Sequence, residues 1–262
     1  MKLLTTIIII LAATAAYAQD FNAGYAEGIR YINDKNYGKA AECLEKVLPL
    51  AKNEEEKFNA HFSLAYSCMM AGYTDKALEN YNRAISLKGR ELLLQRASAY
   101  MQAGRYEEAI EDCNTIISNH PEETDARLMR AQAYMAKGDY SKAKEEFIAI
   151  TERDPDNLNA RLGLAMTYKS EGLYEKASLL VGLLIEECPR NAALYIARSD
   201  IEREQGQYEL ALMDVEQAIM LEPENAGYYT LQAILLEKCG KKRAATNSRK
   251  KAEKLKSSYQ NR

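Results

Sequence analysis

Small and apolar residues recur along this chain on two nested rhythms. In the stretch 124–157 the shorter one places Ala131 and Tyr134 three residues apart, then Ala143 and Phe147 four apart with Tyr140 just before them. Steps of three and four keep each set on one face of a helix. Gly138 separates the two sets and Pro155 follows the second. Glycine tolerates the left-handed backbone that ends a helix, and proline cannot continue one. The stretch therefore predicts two short helices joined by a tight turn.

The longer rhythm is 34 residues, the spacing from Gly104 through Gly138, Gly172 and Gly206 to Gly240. Tyr106, Tyr140, Tyr174 and Tyr208 keep the same register, as do Ala109, Ala143, Ala177 and Ala211, and Pro121, Pro155, Pro189 and Pro223. A fixed period of this length predicts a stack of helical hairpins, each burying its apolar face only against its neighbours.

Taken together, these positions resemble the tetratricopeptide repeat (TPR) family, whose unit is a 34-residue helix–turn–helix. The small residue of the first helix is Gly28, Ala65, Ala97, Ala131, Ala165, Ser199 and Ala233, and the alanine of the second recurs from Ala40 to Ala245. The resemblance implies an all-α, right-handed superhelical solenoid over 19–262, with repeats at 21–54, 58–89, 90–123, 124–157, 158–191, 192–225 and 226–259. Departures gather toward the ends. Lys35 stands where the first turn glycine belongs, and the charged stretch Glu54–Lys57 reads as an insertion before the second repeat. Three residues after the small residue the family tyrosine is present as Tyr31, Tyr100, Tyr134 and Tyr168, but Cys68, Glu202 and Leu236 stand there in the other units.

Charge adds little to this picture. Thirty-five basic against 38 acidic residues leave a formal net charge of -3, without the basic face that nucleic-acid binding requires. The N-terminus is a separate segment. Lys2, the apolar run Leu3–Ala13 and the small-x-small Ala16-Tyr17-Ala18 read as a secretory signal peptide over 1–18. The expectation is an exported protein, periplasmic in a Gram-negative cell. Export makes disulfides possible, but Cys43, Cys68, Cys113, Cys188 and Cys239 lie in five different repeats with no paired spacing. They read as small core residues. His61 and His120 have no close cysteine or histidine, so no metal site and no cofactor is expected. No nucleophile–base pair or phosphate-binding loop is present either, and an enzyme is not expected.

One internal correlation concerns charge inside the hairpins. Position 7 of the repeat is Arg96, Arg130 and Arg198 in three units, and in those same units position 23 is Asp112, Glu146 and Asp214. A partly buried arginine needs such a partner, so three intra-repeat salt bridges are expected.

In the TPR family the first helices line a concave groove, and the resemblance carries that role to particular residues here. They are Tyr25, Ile29 and Ile32 in the first unit, then Phe62, Tyr66, Met69 and Met70 in the second. Leu94 and Met101 follow, then Leu128 and Met135, then Leu162 and Met166. The sixth and seventh units turn charged, with Asp200, Arg203 and Glu237. A methionine-rich apolar lining suits a polypeptide partner. The Lys/Asn clamp that some family members use for a terminal carboxylate is absent. The expected function is an exported protein–protein interaction scaffold or adaptor. A glycan or cell-wall ligand is the alternative, favoured by aromatic Tyr25, Phe62 and Tyr66. The basic run from Lys238 to Lys256 reads as a polar cap of the array, or as a patch for an anionic membrane surface or acidic partner.

Overall fold

The computed structural model describes residues 20–87 and 90–260. The signal-peptide expectation for 1–18 lies outside the described residues, as does Gly89. Those described form fourteen α-helices and no strand, an all-α fold of helix–turn–helix repeats. In chain order the helices are α1 (Phe21–Asn33), α2 (Tyr37–Val47), α3 (Glu54–Met70), α4 (Thr74–Leu87), α5 (Leu93–Gln102), α6 (Tyr106–Asn119) and α7 (Thr124–Lys137). They continue as α8 (Tyr140–Arg153), α9 (Leu158–Ser170), α10 (Tyr174–Glu187), α11 (Ala192–Glu204), α12 (Tyr208–Leu221), α13 (Ala226–Lys238) and α14 (Lys242–Gln260). The chain divides between Ala133 and Tyr134, within α7, into two compact units.

In the first unit α1 packs on α2, α3 on α4 and α5 on α6, and the hairpins join through α2 on α3 and α4 on α5. Leu44, Leu64, Cys68, Tyr81, Tyr100 and Cys113 share its main core. A smaller cluster of Phe21, Val47 and Ala60 closes the N-terminal end. In the second unit α9 packs on α10, α11 on α12 and α13 on α14. One core there gathers Val181, Leu184, Leu194 and Ile201, and another Leu212, Val215, Leu235 and Leu236.

Small residues are required where helices approach closely. A Cβ on Gly28 would come within 2.7 Å of Leu44, and one on Gly163 within 2.4 Å of Phe147. The turns are closed by main chain. In the fifth repeat the Leu173 N–H donates to the Tyr168 carbonyl at 2.8 Å and the Gly172 N–H to the Lys169 carbonyl at 2.9 Å. This is the paired closure of a helix that ends in a left-handed residue, and Gly172 has φ 77°. The first hairpin closes the same way through Lys35, a non-glycine at φ 56°.

Asparagine opens the next first helix. Asn157 Oδ1 accepts from the Ala160 N–H at 3.0 Å, Asn191 Oδ1 from Ala193 at 3.1 Å and Asn225 Oδ1 from Gly227 at 3.0 Å, each satisfying an orphan donor of the helix start. The stretch Glu54–Lys57, expected as an insertion, is helical. It forms the first turn of α3, capped by Asn53, whose side chain accepts from the Glu56 N–H at 2.8 Å. Three glutamates at a helix N-terminus are stabilised by its dipole, so charge that reads as a break in the pattern starts a helix.

Candidate functional site

The first helices of the N-terminal unit carry most of the expected apolar lining, and packing divides it. Tyr25, Ile32, Phe62, Leu94 and Met101 lie half-buried against the core, one side on packed neighbours and the other open. The Tyr25 hydroxyl is 2.9 Å from Ser63 Oγ, tying α1 to α3, and its ring stacks on Phe21 at 5.5 Å. Phe62 stacks on Phe58 of the preceding turn at 6.3 Å. Ile29 and Leu128 are also half-buried. Met69 belongs to the core, at 9% exposure, and does not line a groove. Its neighbour Met70 is 48% exposed and Tyr66 37%, with the Tyr66 ring held edge-on by Tyr37 at 6.1 Å. The sequence step from Met69 to Met70 turns a helix by about 100°, which takes one into the core and leaves the other in solvent.

In the C-terminal unit Leu162 and Met166 are half-buried against the α10 core, and Met135 is half-buried near the end of α7. Beyond them the first-helix surface carries ion pairs, with Ile234 exposed among them. The Lys169 ammonium donates to Asp200, and Arg203 Nη2 donates to the other Asp200 oxygen at 2.5 Å. Burial works to raise the Asp200 carboxyl, but those two cations more than offset it and hold it below the usual carboxylate range. On the next hairpin Arg249 pairs with Glu237 at 2.6 Å. These groups pair with one another across the first-helix surface.

Two of the arginine–acid pairs are formed within single units. Arg96 donates from Nε to Asp112 Oδ2 at 2.8 Å and from Nη2 to Oδ1 at 2.5 Å. Arg198 makes the same two-point contact with Asp214, both bonds at 2.7 Å. The forked geometry is the strong form of this interaction, and both acids are buried. Arg130 Nη1 donates to Asn114 at 2.6 Å, while Arg130 and Glu146 fall in different units and their pairing stays an expectation.

With this geometry in view, the chain matches the tetratricopeptide repeat family over residues 74–124, 100–157 and 192–225. The structure is similar to that of a tetratricopeptide repeat protein from Parabacteroides merdae, with a TM-score of 0.76 and 26% identity over 91% of this chain and 94% of that one. The chain is a TPR protein. It also shares its fold with a TPR protein of Thermus thermophilus (TM-score 0.59, 18% identity, 68% of this chain and 98% of that one). MamA of Desulfovibrio magneticus RS-1 has the fold too (TM-score 0.53, 17% identity, 64% and 96%). No curated protein matches the sequence. TPR folds generally mediate contacts between proteins.

The TPR frame exposes what the sequence reading passed over. Positions 7 and 23 form a matched pair even without charge, since Ser248 Oγ donates to Gln232 Oε1 at 2.8 Å in the seventh repeat. The fifth repeat has Leu164 and Leu180 at these positions. At position 11 a second pairing appears, because lysines of the second helix lie over Tyr31, Tyr134 and Tyr168 at 6.0, 5.4 and 5.8 Å from the ring centres. In the sixth repeat the tyrosine is Glu202 and the matching lysine is Leu210. Glu202 is buried beside Asp214 and 4.0 Å from Arg198 Nε. Burial pushes its carboxyl up, Asp214 adds to the effect and Arg198 opposes it, and the result is about 7.

Cysteine positions follow the core only in part. Cys68 and Cys113 are buried, Cys43 and Cys239 half-buried, and Cys188 is exposed at the end of α10, so it is not a core residue. Among the described residues no cluster of three His, Cys, Asp or Glu could hold a metal ion, and no helix is long and apolar enough to cross a membrane.

Proposed function

We propose that this TPR protein is an exported scaffold that holds an apolar polypeptide segment on the first-helix surface of its N-terminal unit. The observation that carries the reading is the state of that surface. Tyr66 and Met70 stand open to solvent beside the half-buried Phe62, Leu94 and Met101. Large apolar groups left open together mark interaction surfaces. Methionine adapts to several shapes, and burial contributes roughly 25 cal/mol per Å² before the cost of association. Export is proposed from Lys2, the apolar run Leu3–Ala13 and the Ala16-Tyr17-Ala18 cleavage pattern.

The experiment is affinity capture from the cell-envelope fraction of the source cells, with the chain from Gln19 to Arg262 as bait. Tyr66→Asp/Met70→Asp runs beside the wild type, because both side chains are exposed and their replacement leaves the core intact. One polypeptide held by the wild type and lost by the variant, at unchanged helical circular dichroism, is the expected result. The same proteins retained by both baits would refute the surface assignment. Mass spectrometry of the protein from the same cells gives the N-terminus, expected at Gln19. An intact Met1 would refute export.

A further inference from the structure

The outer faces of α10 and α12, both in the C-terminal unit, depart from every other second helix. These two helices expose twelve residues, of which five are aliphatic and five are glutamate, with one glutamine and one lysine. The aliphatic ones are large and open: Leu179 68%, Leu183 44%, Leu210 48%, Met213 62% and Met220 66% exposed. On α4, α6 and α14 no large apolar side chain is exposed among the described residues, and α8 exposes only Ile148, at 36%. The apolar residues are therefore local to one place and are not a property of the repeat.

Their register is that of the fold. Leu179 and Met213 occupy the same position of consecutive repeats, where the third, fourth and seventh repeats carry Glu111, Glu145 and Asn247. Glu175 and Glu209 are likewise equivalent, one helical turn before them. Apolar residues thus stand in a row with acids on the preceding turn, and Glu186 and Glu216 continue the acid along the same faces. The single exposed lysine, Lys176, lies over the Tyr168 ring at 5.8 Å and is drawn away from the row. Five scattered aliphatic residues would need no explanation, but a row of them on adjoining repeats does.

We propose that this face docks an amphipathic helix of a partner protein, with aliphatic residues along one side and lysine or arginine flanking them. Charge complementarity selects that occupant. A basic-flanked helix places cations over Glu175, Glu186, Glu209 and Glu216 while its aliphatic side covers Leu179, Met213 and Met220. The same glutamates repel an anionic membrane surface, and they repel a second copy of this face. This docking is independent of the first-helix surface of the N-terminal unit.

The test is fluorescence anisotropy with a labelled synthetic helical peptide of leucine and lysine, its leucines spaced to fall on one side. Two comparison peptides have lysine replaced by glutamate, or the same composition scrambled so that no apolar side forms. The leucine–lysine peptide is expected to bind at least roughly tenfold more tightly than either, and to weaken as salt rises from about 0.05 to about 0.3 M. Leu179→Ser/Met213→Ser is expected to lose that binding with helical content unchanged. Glu111→Ser, at the equivalent position of α6, leaves it unaltered. Binding that survives Leu179→Ser/Met213→Ser, or equal binding of the lysine and glutamate peptides, would overturn the proposal. So would a dimer in sedimentation that this double substitution abolishes without any effect on peptide binding, since a second copy would then be the occupant.

Discussion

Replacing Glu202 with glutamine removes a charge that the sixth hairpin buries without a dedicated partner. Asp214 already accepts from Nε and Nη2 of Arg198, both at 2.7 Å, and Glu202 stands off at 4.0 Å. Its carboxyl titrates near 7 in the folded protein against an ordinary value of 4.5. At ~1.4 kcal/mol per pH unit, that gap corresponds to about 3 kcal/mol. The sign follows from proton binding. The folded state holds this proton more tightly than the unfolded chain, so the contribution to stability is complete below 4.5 and is lost as pH rises through about 7. Glutamine carries no charge at either end of the window. Glu202→Gln should therefore match the wild type near about pH 4 and exceed it by up to about 3 kcal/mol near about pH 8.

Urea unfolding followed by circular dichroism at those two pH values measures the difference. Hydrogen exchange at the amides of α11 and α12 restricts it to the hairpin concerned, because repeat arrays need not unfold in one step. A stability difference independent of pH would refute the reasoning. So would a variant less stable than the wild type near pH 8, which would make the Glu202 carboxylate a net favourable partner of Arg198.

Two further substitutions test the packing logic. Arg96→Leu leaves Asp112 buried without its guanidinium and should cost about 3 kcal/mol, while Arg96→Leu/Asp112→Leu should recover most of it, because the fifth repeat holds Leu164 and Leu180 at these positions. Denaturant unfolding of the single and double variants decides, and a double variant as unstable as the sum of its parts would rule out the coupling. Lys35→Gly should raise the thermal midpoint, since a side chain at φ 56° costs about 1 kcal/mol that glycine does not, and a lower midpoint would contradict this.

The fold was legible because its determinants are local and repeated. Gly104, Gly138, Gly172, Gly206 and Gly240 all lie at positive φ, so the 34-residue spacing reports a backbone requirement directly. Exposure was legible only in part, because a residue at a groove position touches its own core as well. Met69 and Met70 share residue type and neighbourhood, and only the rotation of α3 distinguishes them. The helical state of the charged stretch Glu54–Lys57 was not legible, because glutamates favour solvent and helix starts alike, and Asn53 decides between the two by capping. The α10 and α12 row was illegible for a different reason. Leucine and methionine on a second helix read as core, and their exposure follows from neighbours such as Val181, Leu184 and Val215 having already filled the interior.

The main-chain closure of each turn has a consequence for how such a chain changes over time. Past each of these first helices, the N–H five residues after position 11 donates to the carbonyl of that position, whether the residue there is Tyr168, Cys68, Glu202 or Leu236. Because the latch is made of peptide groups, the side chain at that position is free to drift without opening the hairpin. A repeat can thus lose its aromatic residue, acquire an ionisable one and keep its geometry, with only its response to acidity altered. Divergence among the seven hairpins then accumulates as chemical individuality on a constant frame, and the most altered copies are where new properties of the protein are to be sought.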